Sequence, residues 1–292
     1  MYLHLLHRTT FAYAGTARDS FNETRLQASN DDTQACHQFT LRTSPAVALR
    51  EYRDFYGNIV HYFDISTPHR KLVIEAESEI ETTPDAARAP VPAVPLAELG
   101  TFPERELYSE FLSPSHYVPE SVELWREAQD ALAAGRSTVW ADAIRLARHV
   151  FKTFTYKPHT TGVNTLAPAA LKLRAGVCQD FAHVTIGLCR STGIPARYVS
   201  GYFFNAKRRP DENEASHAWV EVCVPGYGWA AYDPTHDRPA DERYVKLATG
   251  RDYADIRPVS GTYRGAPTRS LKVEVAVRVK KAPAPEGAAT SS

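Results

Sequence analysis

Four cysteines in 292 residues, none in a C-x-x-C pair, are too few to staple a chain of this length with disulfides and offer no structural zinc spacing. The H-E-x-x-H motif is also missing. Neither sign of charge is in excess: 34 Lys and Arg balance 34 Asp and Glu, and the sequence pI is near 7.2. A chain that neutralises several phosphates carries a basic surplus along its groove, so nucleic acid is set aside as a partner. No apolar run approaches the roughly 20 residues of a membrane-spanning helix. At the start of the chain, His4, His7 and Arg8 occupy the stretch that a signal peptide keeps apolar. A cytoplasmic protein without membrane association is expected. What is present is an ordinary globular composition, 43% apolar and 23% charged, long enough for two domains that each bury a core.

Residues 1 to about 82 alternate with period two. In KLVIEAESEI the apolar set Leu72, Ile74, Ala76 and Ile80 alternates with Val73, Glu75, Glu77 and Glu79, as in a half-buried strand. EYRDFYGNIVHYFDI holds two aromatic and β-branched runs around Gly57-Asn58, which is hairpin chemistry. An all-β, sandwich-like domain is predicted over residues 1–100. From Thr83 to Pro103 repeated prolines remove backbone donors and fix φ, marking a junction without a packed element. Beyond it, Val139, Ala143, Ile144, Ala147, Val150, Phe151 and Phe154 follow helical spacing behind Ser137 or Thr138 as N-cap. A second helix is predicted from Cys178 to Thr192, stopped by Gly193 and Pro195. Strands follow in ARYVSGYFF, SHAWVEVCV and GWAAYD, so the unit over 101–270 is α+β. In LKVEVAVRV, the residues Leu271, Val273, Val275, Val277 and Val279 share a face that must find cover. This strand, set at 271–281, joins either the second unit's sheet or the N-terminal one. The tail 282–292 is low in complexity and is expected to be disordered.

Three segments carry chemistry: GVCQDFAH at 176–183, SHAWVEV at 216–222 and YDPT at 232–235. Cys178 opens a helix, where unpaired N–H groups and the positive dipole end favour a thiolate. His217 shares a strand face with Trp219, Glu221 and Cys223, and Asp233 ends the next strand before Pro234. The short PGYG link makes these two strands a hairpin. If Val224 pairs with Gly228, Asp233 lies opposite Trp219, and His217 becomes its diagonal neighbour on the same face. A register shifted by one residue puts Asp233 on the other face. Singly, each residue has a bland role: a buried thiol, a strand histidine, a turn aspartate. Cys189 and Cys223 are left in that role. The order of the three, with the thiol on a helix start and the other two on neighbouring strands, points to nucleophilic catalysis.

The segments LRAGVCQDFAHVTIGLCRSTGIPARYVSGY, SHAWVEV, GWAAYDPTHDR and GRDYADIRPVSGTYRG, within about 171–265, resemble the transglutaminase-like superfamily in its bacterial branch with an extra N-terminal β domain. The resemblance implies a papain-like catalytic unit. In it Cys178 is the nucleophile, His217 the general base and then acid, and Asp233 the residue that orients the imidazole. It implies a peptide or protein substrate and no cofactor. The Cys178 N–H is one oxyanion donor, and Gln179, Tyr156 or Asn164 could supply another. Asp180 and His183 also match the family motif. The first can cap the helix and the second can pack nearby, or both can take part in the site. Tyr253 and Asp255 line the cleft or tie a loop.

Two other classes stay open. Cys178, His183, His217, His236 and Asp233 are all possible zinc ligands, although no zinc spacing joins them. A non-enzymatic binding module is the third reading, weakened by the intact trio. The resemblance implies hydrolysis of a peptide or isopeptide amide through a Cys178 thioester, with amine transfer as the alternative that the trio alone does not exclude. Oligomeric state and physiological substrate have no sequence signature here.

Overall fold

The computed structural model describes residues 1–84, 87–102, 105–206 and 216–281. The period-two patterning at the start of the chain forms β1 (Tyr2–Thr24), β2 (Gln34–Ser44), β3 (Arg50–Arg53), β4 (Ile59–Ile65) and β5 (His69–Thr82). β3 and β4 make the hairpin expected around Gly57-Asn58, with Gly57 in the left-handed region at φ 81° and the Asp54 carboxylate accepting the Tyr56 and Asn58 N–H groups. Along β5 the alternating set Leu72, Ile74, Ala76 and Ile80 is buried. The sheet is continuous, with seven strands, because β1 is long enough to serve two halves. Its first half lies against β5 and its second against β4, with a register break between Ala12 and Ala17. Leu3, Leu72 and Ile74 from one half and Phe63 and Ile65 from the other share a single apolar cluster.

The proline-rich junction is docked on the second unit. Val94 is buried, its carbonyl accepts the Val139 N–H, and a short 3-10 turn spans Leu96–Gly100. This corrects the expectation of a junction without a packed element: two prolines between Ala89 and Val94 do not prevent carbonyl acceptance and apolar burial.

The second unit contains α1 (Arg105–Tyr108), α2 (Val122–Ala131), α3 (Val139–Thr153), the two-residue strand β6 (Thr155–Tyr156), α4 (Ala167–Leu173), β7 (Ala175–Gly176) and α5 (Cys178–Ser191). Thr138 caps α3 by accepting the Ala141 N–H. A five-stranded antiparallel sheet follows, built from β8 (Ala196–Phe203), β9 (His217–Val224), β10 (Gly228–Asp233), β11 (Arg238–Pro239) and β12 (Tyr244–Gly250), in the order β11-β10-β9-β8-β12. Ala218, Val220, Val222 and Val224 on one face of β9 share a core with Phe181, Val184 and Leu188 of α5, so the helix is buried between this sheet and the other helices. Among the described residues, no helix is long and apolar enough to cross a membrane.

After β12 the chain returns to the N-terminal sheet as β13 (Val259–Gly265) and β14 (Thr268–Val279), which pair end to end along β1. The return begins at Val259, earlier than the boundary at 270, and it settles which sheet the last strand joins. Val275 and Val277 are buried but Leu271, Val273 and Val279 are exposed. The expected five-residue apolar face is covered at its middle, where the shared cluster lies beneath it. The tail 282–292 lies outside the described residues.

The two units share a core and a sheet edge. Tyr202, Val245 and Leu247 of the second sheet enter the cluster that holds Leu3, Ile74 and Val277. His7 Nδ1 bonds the Tyr202 hydroxyl at 2.7 Å, and burial pushes this imidazole down to about 4, leaving it neutral. β12 is an outer strand, and two carboxamides pair with its backbone as another strand would. Gln34 donates to Lys246 O (2.7 Å) and accepts the Lys246 N–H (2.8 Å), while Asn58 does the same at Thr249 (2.8 Å each). Each of Gln34→Ala and Asn58→Ala leaves a backbone donor and acceptor of β12 without its partner, at an expected cost of about 1–3 kcal/mol. Denaturant midpoints check this, and an unchanged midpoint in both variants would show the edge to be solvated instead.

Candidate active site

Chain direction brings the trio together. α5 turns at Gly193 into β8, which runs back along it. β9 starts opposite the end of β8, with His217 paired to Gly201, and β10 ends beside the start of β9. The start of α5, the start of β9 and the end of β10 therefore meet at one end of the layer. The hairpin takes the register that pairs Val224 with Gly228 and Val220 with Tyr232, which sets Asp233 opposite Trp219 and diagonal to His217. The His217 Nε2 to Asp233 Oδ2 distance is 2.7 Å. The Cys178 side chain is near enough to His217 to favour its charged form, by hydrogen bonding and charge.

The helix start is locked by its own third residue. Asp180 folds back so that Oδ2 accepts the Val177 N–H at 2.8 Å and the Thr161 hydroxyl at 2.7 Å. A Cβ on Gly176 would lie 2.3 Å from that oxygen, so this position needs glycine. Burial raises the Asp180 carboxyl despite these bonds, and Oδ1 is buried without a partner. Cys178 and Gln179 are the first two residues of the helix, whose N–H groups have no intrahelical acceptor and point out of the helix start. Cys178 itself is half-buried, so its sulfur can be reached.

Asp233 is fully buried and saturated. Oδ2 takes His217, His236 Nδ1 (2.6 Å) and the Tyr244 hydroxyl (2.8 Å), and Oδ1 takes the Thr235 and His236 N–H groups. Burial alone would raise this carboxyl. The bonds from His217 and His236 outweigh it and hold the group well below the usual carboxylate range. For His217, burial opposes the charged form, but the Asp233 bond and charge and then Cys178 prevail, raising it to about 10. At neutral pH the site thus holds imidazolium between a carboxylate and the sulfur.

The remaining candidates divide. His183 is buried, stacked on Tyr117 at 5.0 Å, and accepts the Tyr253 N–H at 3.2 Å; burial and then the Arg190 charge push it down to about 3. It is neutral and belongs to the packing around α5, which also places the Tyr253 backbone. Gln179 donates to Val163 O at 3.0 Å and so holds the loop before α4. The Asn164 carboxamide oxygen accepts from the Tyr117 hydroxyl at 3.4 Å. Tyr156 is exposed and lies near Phe181. Trp219 packs behind His217 and against Gly201, where a Cβ would come within 2.6 Å of its ring. Asp255 binds Arg251. None of these side chains has a described bond to the trio.

Sequence reasoning did not assign Tyr244 or Thr161 any role, and took His236 for a possible metal ligand. The position of His236, three residues past Asp233 across an Asp-Pro-Thr turn, is the signal that could have placed it on the carboxylate. The zinc set is split, because His183 lies in the core. The ligand atoms of His217, Asp233 and His236 do lie within 4.8 Å of one another, with both imidazoles hydrogen-bonded to the carboxylate.

Both parts of this architecture match known families. Residues 126–234 match the transglutaminase-like superfamily, and residues 3–81 match the bacterial transglutaminase-like N-terminal region. An uncharacterized protein of Mycobacterium leprae is 33% identical over 279 residues, covering 94% of this chain and 98% of its own. A protein-glutamine gamma-glutamyltransferase of Pseudomonas aeruginosa is 32% identical over 166 residues, 53% of this chain and 24% of that one. A proposed cysteine protease from Cytophaga hutchinsonii has the same fold, with a TM-score of 0.74, 24% identity and coverage of 97% and 92% of the two chains. The two family matches, in this order along the chain, and a mycobacterial relative aligned along nearly the whole of both chains show that this chain belongs to the transglutaminase-like superfamily, in its bacterial form with an N-terminal β region.

Proposed function

We propose that the protein is a cysteine hydrolase that cleaves peptide or isopeptide amides of a protein substrate through a thioester on Cys178. The placement of Cys178 at the start of α5 beside His217, whose other side is held by Asp233 at 2.7 Å, carries this reading. With the thiol proton held on His217, the sulfur attacks the amide carbon, forming the C–S bond and placing the charge on oxygen. The N–H groups that open α5 suit that oxyanion. His217 gives its proton to the departing nitrogen as the C–N bond breaks. Water then attacks the thioester, with His217 taking its proton, and the C–S bond breaks to release the acid and return the sulfur beside imidazolium. The saturated Asp233 holds the imidazole through both steps. The chemistry needs no metal or organic cofactor. The four cysteines are thiols rather than disulfides, which suits a reducing cytoplasm, where we place the protein.

Amine transfer is the second reading, supported by the likeness to the Pseudomonas enzyme over 166 residues. The same thioester can pass to an amine, with His217 again as base. Mass spectrometry of glutamine and isopeptide substrates turned over in heavy-oxygen water with a millimolar primary amine separates the two. Acid product carrying one heavy oxygen is expected to predominate. A majority of amine adducts would make the protein a transglutaminase.

A further inference from the structure

β14 lies at the edge of the N-terminal sheet, and among the described residues β1 is the strand it pairs with. The Lys280 N–H donates to Tyr2 O. In the unbroken antiparallel register that follows, the even-numbered residues from Ser270 to Lys280 turn their N–H and C=O groups toward β1, and the odd-numbered residues from Leu271 to Val279 turn theirs outward. The far side of β1 agrees, since Thr82 donates to Met1 O and so commits the odd residues of β1 to β5. The outward-turned residues also carry the apolar row, of which Leu271 is 57%, Val273 44% and Val279 52% exposed. Outward donors and acceptors beside exposed apolar side chains make a template for another strand.

We propose that β14 pairs antiparallel with β14 of a second copy of this chain, about a twofold axis at Val273. The charges suit a second copy, and of the two axes that oppose only unlike charges the one at the exposed Val273 is favoured over that at Val277, which is buried in its own copy. With the axis at Val273, Lys272 of each copy faces Glu274 of the other across a non-hydrogen-bonded pair, where opposed side chains come closest. On the other face Leu271 meets Val275, and Val273 meets its own copy. An axis at Lys272 sets that lysine against itself, and one at Glu274 does the same for the glutamate. An axis at Ala276 opposes Glu274 to Arg278 but brings Lys272 against Lys280. Lys272 and Glu274 already form an ion pair within one strand at 2.6 Å. Association exchanges those two pairs, one in each copy, for two between copies and covers the exposed row.

Sedimentation velocity on the full chain, from micromolar to submillimolar concentration, should show a monomer-dimer equilibrium. Glu274→Lys sets lysine against lysine and Lys272→Glu sets glutamate against glutamate, so each variant alone is expected to dimerise at least about tenfold more weakly. An equimolar mixture of the two again opposes unlike charges at both positions, and a heterodimer should form. Melting temperatures close to that of the parent confirm that the variants are folded. The proposal is overturned by a parent chain that stays monomeric throughout, by a dimer that both variants leave intact, or by a mixture that does not restore association. Binding of the edge by the chain's own tail or by another protein's strand would show itself as the first of these.

Discussion

Replacing Cys178 with alanine is expected to lower kcat by at least roughly 10⁴-fold while leaving the melting temperature nearly unchanged. Of the four cysteines, this one opens a helix and lies beside the His217 imidazole. Cys189 is fully buried, and burial pushes its thiol up to about 12, so it stays a neutral apolar side chain. Cys223 is also fully buried, on the strand that carries His217. Cys36 is half-buried in the N-terminal sheet, and burial raises its thiol as well. Cys189→Ala and Cys223→Ala should therefore keep most activity and lose about 1 kcal/mol of stability from the vacated volume. Cys36→Ala should change little of either. Steady-state assays on the four variants check this. Equal losses in Cys178→Ala and Cys189→Ala, with folding retained, would move the chemistry elsewhere.

Asp233→Asn is expected to lower kcat by roughly 10²–10⁴-fold, because an amide can orient His217 but does not stabilise the imidazolium. Its effect on pH dependence is more specific. In the parent, His217 stays charged up to about 10, against an ordinary value of 6.5. A raised histidine contributes stability that is complete below 6.5 and is lost as pH rises through about 10. Asp233, held low, contributes stability that is complete above its unfolded value and is lost only as the solution becomes strongly acidic. The deficit of Asp233→Asn should thus be largest in mildly acidic solution and shrink on the alkaline side. The alkaline limb of kcat/KM should move down from about 10 toward the unperturbed imidazole value. Melting curves and rate profiles across pH measure both effects. A limb that stays in place would mean that His236 and Tyr244, freed from the carboxylate, do not depend on Asp233 to hold the site.

Much of the site was legible because short-range signals fixed it. A glycine before Cys178, a Gly-Pro stop after the helix and a tight loop between two strands mark which ends meet, while of the two hairpin registers left open it is the one pairing Val224 with Gly228 that forms. What escaped notice has no periodic signature. β12 is buried on both faces along most of its length, so YVKLATG shows no alternation. Gln34 and Asn58 close its edge as single carboxamides in polar stretches. The return to β1 at Val259 is hidden because β13 buries no side chain fully and reads as a loop. Tyr244 reaches Asp233 from the same unmarked strand. The five-residue apolar face of β14 was a correct reading of a strand, but periodicity does not say how far along it the cover extends.

The central claim is that the acyl group passes through Cys178. Incubation with a peptidyl p-nitrophenyl ester, acid quenching within the first turnover and mass spectrometry of the digested protein tests it directly. The acyl mass should appear on the peptide carrying Cys178, be lost on neutral incubation as the acid product forms, and be absent from Cys178→Ala. Turnover at the parent rate with no acyl mass on Cys178, or with the mass on another residue, would contradict it.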